Sequence, residues 1–297
     1  GDWSSDVCSS DLMVYPLSQH IGAPAKAIVK VGDEVLVGQK IAEAGGFISA
    51  VVVSSVSGKV KKIEPRVTAG GAKSISIVIE NDGQYTAVEG LGEDRDATKL
   101  SKQEIRDIVR EAGIVGLGGA GFPTNVKLTP KDESKIDYII VNGAECEPYL
   151  TCDYRMMIEE PERLIGGIKV MLQLFENAKA VIGVENNKPK AIEKLRALVK
   201  DEPKISVEAL RTKYPQGGER SLIYAVTGRE INSSMLPADA GCVVDNVNTV
   251  MAIYDAVCKR TPILERVITI TGDAIKEPQN FKVRTGMNYN DIIEAAG

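Results

Sequence analysis

The sequence lacks the cysteine and histidine patterns that mark several classes of protein. It has five cysteines, none of them in a C-x-x-C pair, and a single histidine, His20. An odd and scattered set of cysteines is a poor disulfide framework, and one histidine argues against a zinc site of the usual ligand spacing. We therefore expect reduced, packed cysteines, no metal site and no iron–sulfur cluster within this chain.

An excess of basic residues and a long apolar run are also missing. The chain has 36 basic and 41 acidic residues, a formal net charge of −5, and no Lys/Arg stripe with interleaved aromatic residues. These features argue against a nucleic-acid partner. The longest apolar candidate, residues 47–56, is broken by serines and falls short of the roughly 20 residues that span a bilayer, so we expect a strand there. We expect no transmembrane segment in a chain long enough for two or three domains.

The two ends of the chain need separate treatment. Residues 1–12 have no amphipathic period and no signal-peptide layout, and they resemble a translated sequencing adapter. We expect this segment, with the sole tryptophan Trp3 and with Cys8, to be an artefact outside the fold. The chain stops at Gly297 inside an unfinished element, which indicates a fragment.

Residues 13–88 read as short β-type runs separated by Gly-Asp turns, which predicts a small all-β module. The order V-K-V-G-D-x-V-x-x-G-Q-x-I followed by S-x-G-K-V-x-x-I resembles the flattened barrel of biotinyl and lipoyl carrier domains. Such carriers present a modified lysine on the hairpin between the two halves, yet residues 42–57 contain no lysine. The lipoyl-like barrel is therefore interpreted as a docking or structural module, and a carrier function is disfavoured.

Residues 89–260 predict an α/β domain of Rossmann-like layering, entered through an acidic, glycine-containing linker at 89–96. Apolar runs suited to buried strands alternate with helical periodicity, which implies a parallel sheet covered by helices. Strands are predicted at 136–141, 180–184 and 206–210. Helices are predicted from Pro161 onward and at 189–199, 219–227 and 246–258. Residues 261–297 then predict the start of a small β-grasp (SLBB-like) domain.

The most informative segment is the glycine loop, residues 116–124, which has four glycines within six positions. Without Cβ atoms, a backbone can turn tightly and lie against a flat or phosphorylated ligand. Helical periodicity enters the loop at 100–113, and Pro123 disfavours a helical Phe122, so we expect an extended exit. Helix, loop and extended exit differ from the strand–loop–helix order of a dinucleotide fold. The alternative interpretation of residues 116–124 is a glycine-rich surface turn.

Three further segments fall at the expected ligand-bearing edge of the sheet. Residues 141–148 follow a predicted strand and offer an asparagine and two glutamates. Residues 214–221 place two glycines and a glutamate at a helix start, and residues 245–249 place capping residues at another. Ordinary turn and capping chemistry can explain each segment alone, but not their occurrence together with the glycine loop in this order.

The four motifs in this order, G-L-G-G-A-G-F-P-T, V-N-G-A-E-C-E-P, Y-P-Q-G-G-E and D-N-V-N-T, resemble the flavin domain of two families. One is the NADH-binding flavoprotein subunit of respiratory complex I, and the other, much closer, is the RnfC subunit (also called RsxC) of the Rnf electron-transport complex. Residues 16–25 and 236–239 look specifically like RnfC. The resemblance runs from about Tyr15 to Gly297.

The resemblance implies FMN and NAD(H) as cofactors, held without a catalytic side chain or a metal. The cofactor-binding residues that it implies are Gly116, Gly118, Gly119, Gly121, Phe122, Lys127, Asn142, Glu145, Glu147, Gly217, Gly218, Glu219, Asp245, Asn246 and Thr249. The chain departs from the complex I pattern at three positions, where that relative has an arginine, an aspartate and a cysteine. These positions are Leu117, Ala144 and Gln216.

The resemblance also implies a reaction and a cellular setting. The reaction would be hydride exchange between NAD(H) and FMN, with 4Fe-4S clusters confined to a C-terminal region absent from this chain. Partners would be the membrane and iron–sulfur subunits of the complex, with ferredoxin reached indirectly, at the cytoplasmic face of the bacterial inner membrane. The rival hypothesis is a non-catalytic scaffold whose glycine loop shapes an interface, and Leu117 and Ala144 favour it.

Overall fold

The computed structural model describes residues 3–8 and 10–297, with side chains described from Ser10 onward. Gly1, Asp2 and Ser9, which belong to the segment expected to be an artefact, lie outside the described residues. The described chain contains a barrel of two small sheets, a parallel sheet covered by helices, and a three-stranded sheet. This is the predicted fold class.

The barrel consists of two sheets with strand orders β2-β8-β7-β4 and β3-β5-β6. Its core is filled by β-branched and aromatic residues such as Tyr15, Ile41 and Ile77, each at most 1% exposed. The strands are β2 (Leu12–Pro16), β3 (Lys26–Ala27), β4 (Glu34–Val35), β5 (Lys40–Glu43), β6 (Val52–Val53), β7 (Gly58–Val67) and β8 (Lys73–Asn81).

The strand expected across residues 47–56 is wrong except for Val52–Val53. The serines divert the main chain, since Ser49 Oγ donates to Ala23 O at 2.7 Å and Ser54 Oγ donates to Val56 O at 2.7 Å. The Ser54 bond, to a carbonyl two residues along the chain, is of the local kind that competes with the strand ladder. Phe47 is left 82% exposed in this segment.

The parallel sheet has the order β11-β10-β9-β12. Ile139, Ile140 and Val141 of β9 are all 0% exposed, as expected for a strand buried on both faces. The elements are α1 (Lys102–Glu111), α2 (Thr124–Lys127), β9 (Tyr138–Gly143), α3 (Cys152–Glu159), α4 (Pro161–Leu174), β10 (Lys179–Glu185), α5 (Pro189–Leu198), β11 (Ile205–Leu210), α6 (Glu219–Thr227), β12 (Cys242–Asn246) and α7 (Val247–Cys258).

The direction of strand addition reverses beside β9. The chain runs outward from β9 to β10 and β11, and β12 then returns to pair with the other side of β9. Ligands of open α/β sheets bind beyond the carboxyl ends of the strands at such a switch point. Asn142 of β9 and Asn246 of β12 lie opposite each other at this place.

The third sheet contains β13 (Glu265–Ile270) and β14 (Gln279–Arg284) and is followed by α8 (Tyr289–Ala295). Strand β1 (Trp3–Cys8) pairs in parallel with β14, so the expectation that residues 1–12 lie outside the fold is wrong for the backbone of this segment. The open edge of β14 offers main-chain donors and acceptors that an extended segment of almost any sequence can use. Leu12 also begins β2, opposite Glu80.

In the part of the chain that the structure describes, no helix is both long enough and apolar enough to cross a membrane. The domain limits at 88/89 and 260/261 stay predictions.

Candidate functional site

The glycine loop is closed at its base by main-chain hydrogen bonds. Gly116 N–H donates to Phe122 O at 2.8 Å, and Thr124 N–H donates to Ile114 O at 2.9 Å. Leu117 N–H donates to Thr249 Oγ1 at 2.9 Å, which ties the loop to the first turn of α7. The predicted site residue Thr249 therefore positions the loop, and Phe122 closes it through its carbonyl.

In the described chain, the tip of the loop, residues 118–121, leaves its N–H groups without partners, while the carbonyl of Gly121 accepts from Ile21 N–H at 3.1 Å. Among the described residues, none accepts a hydrogen bond from the N–H groups of these four positions. Gly119 has φ +113° and no atom within 4 Å of a Cβ built there, whereas a Cβ on Gly118 would lie 3.1 Å from Asn246 Cβ. A row of free N–H groups on an exposed, side-chain-poor loop can bind polar or anionic ligands.

The exit of the loop differs from the expectation of an extended segment. Pro123 is the residue before α2, which begins at Thr124 and ends at Lys127. Proline restricts the residue that precedes it but favours a helix start after it, so only Phe122 and Pro123 are extended. The turn of helix directs Lys127 toward the end of β12.

Lys127 connects three of the predicted segments. Its Nζ donates to Val244 O at 2.7 Å and to Asp245 Oδ1 at 3.3 Å, and it lies 3.8 Å from Glu219 Oε1. Burial raises the pKa of the Asp245 carboxyl, and the charge of Lys127 opposes that rise. The ammonium group is therefore the main compensation for a carboxylate that is 1% exposed.

Asn142 and Gly217 join the end of β9 to the turn before α6. Asn142 Nδ2 donates to Gly217 O at 2.8 Å, and Asn142 Oδ1 accepts from Ala144 N–H at 3.2 Å. A Cβ on Gly217 would lie 2.4 Å from Ala144 O, so only glycine allows this approach. Gly218, the next residue, is the N-cap of α6.

The two glutamates of the strand-end segment lie apart from this group. Glu145 accepts hydrogen bonds from the N–H groups of Asp153 at 2.9 Å and Tyr154 at 3.1 Å, so its carboxylate caps α3. Glu147 is exposed and interacts with Tyr214, whose pKa its charge raises. Both glutamates stay predictions as cofactor-binding residues.

Asp153 is a site residue that the sequence reasoning missed. Its two carboxylate oxygens accept from Asn246 Nδ2 and Asn248 Nδ2, each at 2.6 Å. Burial, followed by the charge of Glu145, raises the pKa of Asp153 to about 6. No local sequence signal could have identified it, because the contacts join α3 to α7 across more than 90 residues.

The raised pKa of Asp153 predicts a pH dependence of stability. The folded-state pKa lies above the ordinary value of 3.8, so between these values the folded protein holds a proton that the unfolded chain has released. The resulting stabilisation, about 2 to 3 kcal/mol, is complete below the ordinary value and is lost as the pH rises through about 6. Urea unfolding at a series of pH values measures it. Asp153→Asn should flatten the slope, and an unchanged slope would contradict the assignment.

Glu145, Cys152 and Asp153 place three possible metal-ligand atoms within 4.8 Å of one another. Burial raises the pKa of the Cys152 thiol to about 12, so it stays protonated at neutral pH. The two carboxylates already accept from the α3 main chain and from the asparagines of α7. These bonds give the cluster a structural role.

Several buried polar atoms at the site have no protein partner. They are Gln216 Oε1, Asp245 Oδ2 and Thr124 Oγ1, all among the described residues. Together with the free N–H groups of residues 118–121, they fit a polar, flat nucleotide that would complete the hydrogen bonding. The structure brings together the glycine loop, Lys127, Asn142, Gly217, Glu219, Asp245, Asn246 and Thr249.

The chain matches two family models of known proteins. Residues 5–84 match the RnfC barrel sandwich hybrid domain, and residues 109–255 match the Nuo51 FMN-binding domain. The NAD+-reducing NiFe-hydrogenase, in its air-oxidized crystal structure, is similar in fold with a TM-score of 0.59 and 23% identity. The match covers 69% of this chain and 40% of that one.

Two curated relatives cover nearly the whole chain. The C subunit of the proton-translocating ferredoxin:NAD(+) oxidoreductase complex of Clostridium ljungdahlii is 48% identical over 97% of this chain and 63% of the relative. The C subunit of the Na(+)-translocating ferredoxin:NAD(+) oxidoreductase complex of Acetobacterium woodii is 45% identical over 97% of this chain and 65% of the relative. The chain thus spans just under two thirds of the length of either relative.

Proposed function

We propose that this chain, which belongs to the RnfC family, binds FMN at the glycine loop and exchanges a hydride between FMN and NAD(H). The Nuo51 FMN-binding match over residues 109–255 contains all fifteen residues that we propose for the site. The two curated relatives are named as subunits of ferredoxin:NAD(+) oxidoreductase complexes, which supports NAD(H) as the second nucleotide.

The observation that carries the proposal is the meeting of three features at the switch point of the sheet. Asn142 and Asn246 are paired at the carboxyl ends of β9 and β12. Gly118, at the tip of the glycine loop, lies against Asn246, and the loop N–H groups there are free. A flat ring beside the bare backbone would have amide side chains at its edge, where hydrogen-bond donors and acceptors are needed.

Bound FMN would supply the redox chemistry, accepting a hydride and passing on single electrons. The protein's own residues would bind FMN and orient it. Thr249 fixes the loop, and Lys127 places positive charge beside Asp245 and Glu219. The missing Cβ atoms of Gly118 and Gly119 leave room for the ring, and Gln216 and Asp245 offer buried acceptors. No side chain is assigned an acid–base role.

The setting of the reaction extends the proposal beyond this chain. The chain spans 63–65% of the length of its two relatives. For the whole protein, the proposal includes 4Fe-4S clusters that take electrons from FMN. Partners would be the other subunits of the ion-translocating complex, including its membrane and iron–sulfur subunits, with ferredoxin reached through them. The chain would lie peripherally at the cytoplasmic face of the membrane.

The proposal predicts that the 297-residue chain binds one FMN and that NADH reduces it. Flavin fluorescence titration measures binding, and bleaching of the flavin absorbance by NADH under anaerobic conditions measures hydride transfer. A chain that binds no flavin would support the scaffold, in which Leu117 only packs against the hydrophobic core. Bound flavin that NADH leaves oxidised would contradict the hydride step alone.

A further inference from the structure

Arg266 joins the three-stranded sheet to the glycine loop. It lies on β13, and its Nη2 donates to Leu117 O at 2.9 Å, across 149 positions of sequence. The Leu117 side chain packs against the hydrophobic core of the parallel sheet, and its carbonyl accepts the hydrogen bond from the guanidinium. Arg266 is therefore held at the rim of the loop by one neutral acceptor.

Within the described chain, the positive charge of Arg266 forms no direct ion pair, although it opposes the rise that burial causes in the pKa of Asp153. Among the described residues, no carboxylate oxygen lies within 4.0 Å of its nitrogens, whereas neighbouring cations are paired. Lys282 lies 2.8 Å from Glu265, and Arg284 lies 3.6 Å from the same carboxylate. Arg266 is also exposed, so four of its five N–H donors are available to a ligand.

A cavity of about 190 Å³ lies between this guanidinium and the loop. Part of its wall consists of Arg266, the backbone of Gly116, Gly119 and Gly121, and the polar residues Gln19 and Thr285. The rest of the wall is mostly apolar and includes Val51, Val52, Val53, Ala112, Val115, Leu117 and Ile263. The N–H groups of Gly119 and Gly121 have no acceptor within the described part of the chain. Main-chain donors and one unpaired guanidinium together form a receptor for a phosphate group, which arginine binds in a bidentate manner.

We propose that Arg266 binds a phosphate group of a nucleotide held at the glycine loop. The inference rests on the proposed function for the presence of a nucleotide, and it adds a residue from outside the FMN-binding match. The phosphate can belong to FMN or to NAD(H), and the two sources share the same chemistry. In either case the third sheet takes part in nucleotide binding.

The test compares phosphorylated ligands with ligands that lack phosphate. In Arg266→Gln, the affinity for FMN should fall about 10- to 100-fold while that for riboflavin is unchanged, because one charged hydrogen-bonding partner is lost. If the phosphate belongs to NAD(H), FMN binding is unchanged, the apparent affinity for NADH falls, and reduction by a phosphate-free dihydronicotinamide is unaffected. Arg266→Lys should fall between wild type and Arg266→Gln, because it keeps the charge and loses the planar fork.

Lys282→Gln is the matched control, since it removes one positive charge from the neighbouring strand and should leave every affinity unchanged. An equal loss of FMN and riboflavin affinity in Arg266→Gln would overturn the proposal and leave Arg266 as a support for Leu117. Unchanged affinities for all ligands would also overturn it. If the wild-type chain binds no flavin, the proposed function fails, and the phosphate site is then tested separately with inorganic phosphate. Wild type should broaden the ³¹P line of phosphate more than Arg266→Gln does. Equal broadening by the two proteins would overturn the phosphate site.

Discussion

Replacing Lys127 by methionine should lower the free energy of unfolding by about 3 kcal/mol at neutral pH, because it leaves the buried Asp245 carboxylate without its cation. Methionine keeps the length and apolar character of the side chain, so the loss of packing is small. The carbonyl of Val244 also loses its donor. Urea unfolding of the variant and of wild type measures the difference.

The destabilisation by Lys127→Met should depend on pH in a defined direction. Burial already raises the folded-state pKa of Asp245, and loss of Lys127 raises it further, so protonation stabilises the folded variant at acid pH. The deficit should shrink as the pH falls and grow as the pH rises through the folded-state pKa. The double variant Lys127→Met/Asp245→Asn should recover part of the lost free energy of unfolding. The control Lys131→Met, which replaces an exposed lysine, should leave the free energy of unfolding unchanged. A deficit independent of pH would contradict the pairing.

Replacing Gly118 by valine should weaken FMN binding by about 100-fold and lower the free energy of unfolding by about 1 kcal/mol, because the added side chain crowds Asn246 beside the proposed ring. A Cβ at this position would already lie 3.1 Å from Asn246 Cβ, and the glycine is exposed. The φ of Gly118 lies outside the left-handed region, unlike that of Gly119 at +113° or Gly121 at +62°. Backbone strain therefore does not contribute to the effect of the substitution.

Gly70→Val is the control for the Gly118 substitution. Gly70 also has a φ outside the left-handed region, and a Cβ there meets no atom within 4 Å. Fluorescence titration with FMN and thermal unfolding should show no change for Gly70→Val. Retained FMN affinity in Gly118→Val would show that the ring lies elsewhere.

Much of the architecture can be predicted because its signals are local. Helix α6 covers the predicted residues 219–227, since Gly218 starts it and Gly228, at φ +71°, ends it. The parallel sheet follows from alternating apolar runs and helical periodicity. The sequence also predicts that residues 142 and 246 lie at the ligand-bearing edge of the sheet. Strand β12, which places Asn246 at that edge, is not among the predicted strands.

The remaining features depend on contacts that local sequence does not encode. Glu145 is expected from the sequence to contact a nucleotide but caps α3, since the path of the loop after β9 decides which N–H groups its carboxylate meets. Asp153 and Arg266 reach the site from α3 and from the third sheet, through packing between distant segments. The pairing of Trp3–Cys8 with β14 uses main-chain groups and has no side-chain pattern to detect.

A crystal structure of the chain with FMN tests the central claim most directly. The account predicts electron density for the isoalloxazine ring in van der Waals contact with the main chain of residues 116–121, with Asn142 and Asn246 at its edge. Flavin bound elsewhere, or a loop closed over by the protein's own side chains in crystals grown with FMN, would contradict it.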